Sequence, residues 1–594
     1  MSWMRASALF LLALLCGCAG APAQHSPADA PLGRASAAPT AAPAEQHVAP
    51  DYLLLAPHAF FGALGPLVEL RRGEGLVVQE LAVEEAYARF SAGTREPLAL
   101  LRAVREIWQG SGGKLRFLLV VGAPPTPDET DALRVPTFYL PKLDYRNVGD
   151  GPRFPRHLPL TLTREDARTY PSDHPFALVG SSSPSALEVR PVLAVGRLPA
   201  RSAAEVSGFV GKLVEHEHAS ALGPSTHRLV VMAGQARFGV MLDGLLERVA
   251  VSLLDEQVPP QYDLGFVFAK PGSPYAYRFD RLGDKLVAEA DAGALLLLYV
   301  GHSAAETFDG VEYRGGYYPI GTGRDFARMG GHGARPLFVS LSCEAGEYDL
   351  GAGRRSIAEE AVLNPGGPIA AFAASRESHP YPNLLYGEAF IAHFLSEHPA
   401  TIGEGLLAAK ADIEERTSVF GELLSGVDSD ELREEHVGLY NLLGDPATHL
   451  RYALPASLEL SPPAPAGYPP STRIMVQVRS ELARGTAEIR LETRRKVISR
   501  PQLPETTLDA LPLPDAFARM AENYDAAMDK SLARVTVEVV DGVARGELVT
   551  PAKAGSYVLK AQLTGKRAGS DSAAAEMSAI GATTLVVVVA SASR

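Results

Sequence analysis

The chain has 594 residues, 46% of them hydrophobic, enough for about three domain-sized units each with its own core. Its charge is mildly acidic, 56 Lys and Arg against 69 Asp and Glu, with no basic cluster, which excludes nucleic acid as a partner. Only three cysteines occur, two of them in the leader, which excludes a disulfide-stapled body.

Residues 1–17 combine a short n-region containing Arg5 with the apolar stretch Ala8–Leu15. That stretch is too short to cross a bilayer and reads as an export signal. Leu15-Cys16-Gly17-Cys18 is similar to a bacterial lipobox, which implies cleavage before Cys18 and a lipid anchor on its thiol. By the same likeness, Ala19 after the lipidated cysteine implies the outer membrane. An ordinary signal cut somewhat later is the alternative. Residues 18–50 form an Ala/Pro-rich tether without hydrophobic period. The exported chain then keeps a single free thiol, Cys343, and forms no internal disulfide.

Residues 51–222 read as a first α/β subdomain. Tyr52–Leu55, Leu115–Gly122 and Val192–Leu198 are its strands. Thr94 is the expected N-cap of a helix with Pro97 in its first turn and Leu100, Leu101, Val104, Ile107 and Trp108 at helical spacing. A second helix covers 203–217. Residues 223–453 form a second α/β subdomain opening with Arg228–Ala233. Its central strands end at two reactive side chains: Ala294–Val300 stops at Gly301-His302, and Pro336–Ser342 stops at Cys343. Unalternating apolar runs of this kind are parallel strands covered on both faces. Ser356-Ile357-Ala358-Glu359 has capping-box spacing, Pro368–Ala374 is a further strand, and a long helical region is expected from Leu384 to Glu415. From residue 454 to 594, alternating segments and the turns Asp541-Gly542 and Ala554-Gly555 predict an Ig-like β-sandwich with a helical insertion near 498–531.

Ligands of open α/β sheets sit beyond the carboxyl ends of the strands, so His302 and Cys343 are expected on one rim of one sheet. That pairs a thiol nucleophile with an imidazole acid/base. Attack on a peptide carbonyl also needs fixed donors for the oxyanion, which strand-end amides supply. A useful thiolate fraction near neutral pH requires an electropositive surrounding.

Several phrases in order give the chain its resemblance to the gingipain-type cysteine peptidases, from about Asp51 to Tyr452. They are Leu118–Gly122, Val195-Gly196-Arg197-Leu198-Pro199-Ala200-Arg201, Tyr299-Val300-Gly301-His302, Ser342-Cys343-Glu344-Ala345-Gly346, Leu363-Asn364-Pro365-Gly366-Gly367-Pro368 and Tyr440-Asn441-Leu442-Leu443-Gly444-Asp445-Pro446. The resemblance implies a caspase-like catalytic unit followed by a β-sandwich, with a protein or peptide as substrate. It also implies Cys343 and His302 as catalytic residues, with backbone amides at Ser303 and Cys343 forming the oxyanion hole. Structural calcium enters by family likeness only. The chain departs from the family pattern at Ser303, where the family carries Gly, and at Val192, where it tends to carry a carboxylate that orients the histidine; the nearest acid here is Glu188.

Those departures leave open a lipid-tethered pseudopeptidase that binds another envelope protein. A third reading takes Gly301-His302-Ser303-Ala304-Ala305 as a nucleophile elbow with Asp349 and His379 downstream. An elbow turns straight into a helix, whereas Asp309-Gly310, Gly315, Gly316 and Gly321 are loop chemistry. No cluster has zinc spacing and no loop has a calcium motif, so no metal ligand is assigned. His332, between two glycines, reads as a turn residue, Asp428–Asp430 as solvated charge, and Arg494-Arg495-Lys496 as an exposed strand face or turn.

Overall fold

Ten short strands pair into one sheet that carries the catalytic candidates. The computed structural model describes residues 49–588 except 127–130, 144–163, 165–167, 181–189, 236–253, 352, 416–428, 499–500, 502, 568 and 570–574. In chain order the strands are β1 (Tyr52–Ala56), β2 (Val78–Ala82), β3 (Phe117–Val121), β4 (Ala194–Leu198), β5 (Arg228–Ala233), β6 (Asp263–Phe268), β7 (Leu296–Val300), β8 (Leu337–Leu341), β9 (Ala370–Ala374) and β10 (Tyr440–Leu443). Their spatial order is β2-β1-β3-β4-β10-β9-β8-β7-β5-β6. Every pairing is parallel except β9 with β10. The sheet therefore runs unbroken from the first α/β part into the second.

Both faces of the central strands are covered: all residues of β8 and β9 are buried, which is why their sequences do not alternate. Strands β2, β6 and β10 escape the sequence reading. Val78–Ala82 mixes apolar and polar residues, and Tyr440–Leu443 is only four residues long. Short pieces like these gain strand character from pairing.

Three helical expectations meet different outcomes. The Ser356 capping box forms, with the Glu359 N–H on Ser356 Oγ (3.3 Å) and the Ser356 N–H on the Glu359 carboxylate (2.9 Å). Thr94 is not an N-cap; the helix Pro97–Gly110 starts after Glu96, whose side chain makes no capping bond, and Pro97 itself sets the first turn. The long helix is two helices, Pro380–Ala392 and Ile402–Glu415, separated by a π-helical turn (His393–Glu397) and His398 in the left-handed region. Pro399 disfavours helical backbone at the residue before it and brings no N–H donor, so one continuous helix cannot pass.

The C-terminal alternating segments form seven strands: β11 (Leu454–Ser461), β12 (Arg473–Ser480), β13 (Leu482–Thr493), β14 (Ser531–Val540), β15 (Val543–Val549), β16 (Gly555–Arg567) and β17 (Met577–Val587). Asp541-Gly542, both at positive φ, make the tight turn between β14 and β15. The sandwich closes on itself: β11 pairs with β17 through Leu454–Ala579 and Pro455–Ile580, giving a closed barrel with its own core. Closure removes the exposed edges that two separate sheets would leave. Between β13 and β14 lie the helices Glu505–Asp509 and Leu513–Met528. They pack outside the barrel, where Phe517 meets Phe279, Tyr313 and Tyr318 of the catalytic part.

The family-like phrases are places of close packing. A Cβ on Gly196 would lie 2.2 Å from the Gly444 carbonyl oxygen, so β4 and the end of β10 touch backbone to backbone. Fully buried Arg197 pairs with Asp173 (2.5 Å) and donates to the carbonyls of Gly122 (2.7 Å) and Val135 (3.0 Å). Asp445 accepts from buried Arg71 (3.0 Å), which also pairs with Glu217. Removing one partner of a buried pair strands the other charge. Asp173→Ala is expected to destabilise the fold by about 3–5 kcal/mol in denaturant unfolding. Glu547→Gln, at the exposed Arg473–Glu547 pair, is expected to change it by less than about 1 kcal/mol.

Candidate active site

Register decides where the two reactive groups stand. Strands β7 and β8 pair in parallel, with Leu337 opposite Leu296 and Leu341 opposite Val300. His302 and Cys343 each come two residues past that last pair, so they leave neighbouring strands at the same rim. Gly301 (φ 155°) makes the turn into His302; a Cβ there would meet the Tyr299 hydroxyl at 2.8 Å and Gly234 at 3.2 Å. Directly after the nucleophile candidate, Glu344 takes φ 58°, a left-handed conformation costly for a residue with a side chain. Its N–H donates to the Arg376 carbonyl (3.0 Å), which ties the nucleophile turn to the end of β9.

The histidine is exposed and its backbone is held from two directions. The Tyr299 hydroxyl (2.6 Å) and the Asp309 N–H (2.9 Å) both donate to the His302 carbonyl. Tyr299 stacks on Phe308 at 3.7 Å between ring centroids. The chain then makes two hairpins, Ser303–Ala304 with Thr307–Phe308 and Gly310–Tyr313 with Gly316–Pro319. The second hairpin is braced by the C-terminal insertion, through Tyr313 on Asp509 (2.8 Å) and Arg314 on the Leu511 carbonyl (2.8 Å).

The thiol is half-buried among donors that all belong to one residue. The Ser378 N–H approaches Cys343 Sγ at 3.4 Å, its hydroxyl at 3.9 Å, and the thiol itself donates to the Ser378 carbonyl at 3.6 Å. Burial pushes the thiol above its ordinary range; the two Ser378 donors pull it back, and the carboxylates of Glu377 and Glu344 push it up again. The electropositive surrounding expected for a resting thiolate is not what surrounds Cys343, so the resting group is the neutral thiol.

Ser303 does not behave as the nucleophile of an elbow. It opens a hairpin and not a helix, and its Oγ bonds to Ser342 Oγ (2.7 Å) and to the Cys343 carbonyl. Asp349 is committed to Arg376 (2.7 and 2.8 Å), and the His379 ring accepts the Tyr381 N–H on Nδ1 (3.2 Å). Nor is Ser303 at positive φ, so this backbone does not demand a glycine there. Val192 packs beside Gly180 near Trp108 in the first α/β part. Glu188, Cys18, the export signal, the tether up to residue 48 and Asp428 lie outside the described residues.

His332 is exposed, in irregular backbone just before the bend at Gly333-Ala334. Arg494-Arg495-Lys496 do form a turn, but Arg495 is not exposed: it bonds the carbonyls of Leu254, Pro259 and Tyr262 and ties the barrel to the catalytic part. Among the described residues, Glu74, Glu217 and His449 come close enough together to hold an ion. Arg71 already takes both carboxylates, at 2.6 and 3.1 Å, so this cluster supplies its own cation and does not fit calcium. No helix among the described residues is long and apolar enough to cross a membrane.

Sequence reasoning missed Ser378, Asn383 and the Tyr440 side chain. Ser378 lies just past the carboxyl end of β9, so the strand-end rule that located His302 and Cys343 pointed to it as well.

No curated protein sequence matches the chain. Among solved structures it is similar to the Arg-specific cysteine proteinase gingipain R (RGPB), at 14% identity over 92% of this chain and 100% of that one, TM-score 0.49. The complex of the pro- and mature domains of RgpB from Porphyromonas gingivalis is similar at 13% identity, over 90% of this chain and 100% of that one, TM-score 0.49. Dimeric latent PorU from the same organism is similar at 13% identity, over 92% of this chain and 43% of that one, TM-score 0.35. A sequence profile of peptidase family C25 matches residues 45–451, more than two thirds of the chain and the whole of the sheet that carries His302 and Cys343. The chain belongs to peptidase family C25, a family of cysteine peptidases.

Proposed function

We propose that the chain is a cysteine endopeptidase that cleaves proteins or peptides with Cys343 as nucleophile and His302 as acid/base. The observation that carries this reading is the parallel register of β7 and β8, which delivers both side chains to one rim two residues beyond Val300 and Leu341. The thiol rests neutral, so the imidazole takes the Cys343 proton as sulfur attacks the carbonyl carbon. A tetrahedral intermediate forms that still carries the amine nitrogen, its oxyanion held by the backbone N–H groups of Ser303 and Cys343. His302 then gives the proton to the leaving amine, and a water that it activates hydrolyses the thioester. The hydroxyl of Ser303 props up the carbonyl of Cys343, so it shapes the oxyanion turn without entering the chemistry.

The strained Glu344 turn beside Cys343 speaks for a working site over a pseudopeptidase. The cell-envelope setting belongs to the same proposal: export, lipidation at Cys18 and an Ala/Pro tether would hold the peptidase at the outer membrane.

Active-site labelling tests the chemistry. A peptidyl acyloxymethylketone set is expected to label the wild type and Ser303→Ala, and to lose all labelling in Cys343→Ala. His302→Ala is expected to lower kcat/KM by roughly 10²–10⁴. Fluorophosphonate labelling lost in Ser303→Ala would sink the assignment, and no labelling of folded protein by either probe would favour the pseudopeptidase. For the anchor, detergent phase partition and intact mass of the exported protein are expected to show a lipid adduct that vanishes in Cys18→Ser. An unmodified, water-soluble wild type would remove the lipoprotein reading.

A further inference from the structure

A thiol peptidase must make thiolate, yet this nucleophile has acids for neighbours. Glu344 on its own turn and Glu377 after β9 both oppose ionisation, and burial opposes it further. The buried phenols of Tyr299 on β7 and Tyr440 on β10 bring no positive charge. Lys142 is engaged with Glu377 (2.7 Å) and Arg376 with Asp349 (2.7 Å). His302, just after β7, is the group that receives the proton. Something else has to favour the charged sulfur.

We infer that Tyr440, Asn383 and Ser378 form a directed hydrogen-bond chain that ends on Cys343 Sγ and sets the thiolate content of the nucleophile. This deepens the peptidase reading and rests on it for the role of Cys343. The direction comes from donor and acceptor counts. Tyr440 is fully buried, and burial raises its phenol far above the ordinary range, so the hydroxyl keeps its proton. It donates to Asn383 Oδ1 at 2.7 Å, which fixes the amide with its nitrogen toward Ser378. Asn383 Nδ2 then donates to Ser378 Oγ at 2.9 Å. With that lone pair occupied by a donor, the Ser378 proton has two acceptors in reach, the Tyr440 phenol oxygen and Sγ at 3.9 Å, and a charged sulfur draws it; the Ser378 N–H stands beside it at 3.4 Å.

The neutral and charged states use the same residue differently. In the thiol, S–H donates to the Ser378 carbonyl (3.6 Å). When the S–H bond breaks and its proton passes to the His302 imidazole, sulfur becomes an acceptor only, and both Ser378 donors serve it. Hydrogen bonds to a charged acceptor are about twice as strong as neutral ones, so the chain favours the thiolate selectively. Ser378 also directly precedes His379, the N-cap of the 13-residue helix Pro380–Ala392, whose positive end favours a negative charge nearby. Tyr440, Asn383 and Ser378 are positioning residues, since none of them touches the scissile bond.

The test reads ionisation and needs no substrate. Alkylation of Cys343 by iodoacetamide is followed across pH on the full chain, by mass spectrometry of the Cys343 peptide. Because the thiol sits above its ordinary range, the wild-type rate is expected to keep rising with pH beyond that range. Ser378→Ala is expected to slow alkylation at pH 7 by about fivefold and to move the profile to higher pH. Asn383→Ala is expected to move it the same way by about threefold, and the double variant no further than Ser378→Ala alone. Ser378→Thr, which keeps a hydroxyl, is expected to restore the wild-type profile. Melting curves select folded variants; half-exposed Asn383 is the site where folding is least at risk.

Coincident profiles for wild type and Ser378→Ala would overturn the chain. So would effects of Ser378→Ala and Asn383→Ala that multiply, since independent residues do not form a relay. Peptide hydrolysis measured in parallel separates the two claims. A shifted profile without hydrolysis removes the peptidase reading and keeps the chain, and an unmoved profile in a hydrolysing enzyme removes the chain alone.

Discussion

The parallel pairing of β7 with β8 is the constraint on which the site depends. A strand pair fixes its residues in steps of one, and a slip of one residue would turn every side chain to the other face. Here the apolar runs are buried on both faces, so a slip would tear Leu296–Leu298 and Leu337–Val339 from the close-packed neighbours on either side. The register is held by burial of the whole sheet, and the position of His302 against Cys343 comes with it. The geometry of the candidate site is thereby tied to global stability and not to any one contact at the rim.

A second dependence runs from the far end of the chain. The loop that carries His302 continues into the hairpin Gly310–Tyr313 and Gly316–Pro319, and that hairpin rests on Phe517 and Asp509 of the C-terminal insertion. The barrel is fastened by charge where the insertion is fastened by rings: Asp263 at the start of β6 accepts from Arg490 (2.9 Å) and Gln562 (2.6 Å) of the barrel wall. Its carboxyl is driven down by the Lys560 and Arg490 charges despite its burial. The C-terminal part is thus a brace for the histidine loop as well as a domain of its own, and the histidine's surroundings are assembled from residues two hundred positions apart.

The electrostatics of the thiol run against what a reactive cysteine ordinarily finds. Helix ends and basic neighbours lower a thiol; here carboxylates and burial raise it, and only the Ser378 donors work the other way. A neutral resting thiol is less exposed to chance oxidation, because oxidation tracks thiolate character.

Much of this was legible in the residues alone. Unalternating apolar runs gave away the buried parallel strands, and the groups at their ends, His302 and Cys343, came from a general rule about open sheets. The capping box at Ser356 and the turn at Asp541-Gly542 are local chemistry and came out as read. Pro399 was equally visible, and its break in the helical region should have been drawn from it. The relations between distant segments needed the folded chain. The short strand Tyr440–Leu443 exists because β4 and β9 flank it; barrel closure is a pairing between Leu454 and Ala579; and the insertion finds its seat on a hairpin that its own sequence does not mention. Local sequence determines which segments are strands or helices and which side chains stand at their ends, because sterics and hydrophobic patterning act over a few residues. Which of those ends meet, and therefore that Ser378, Asn383 and Tyr440 converge on Cys343, is decided only by packing, since it depends on the burial of the whole sheet.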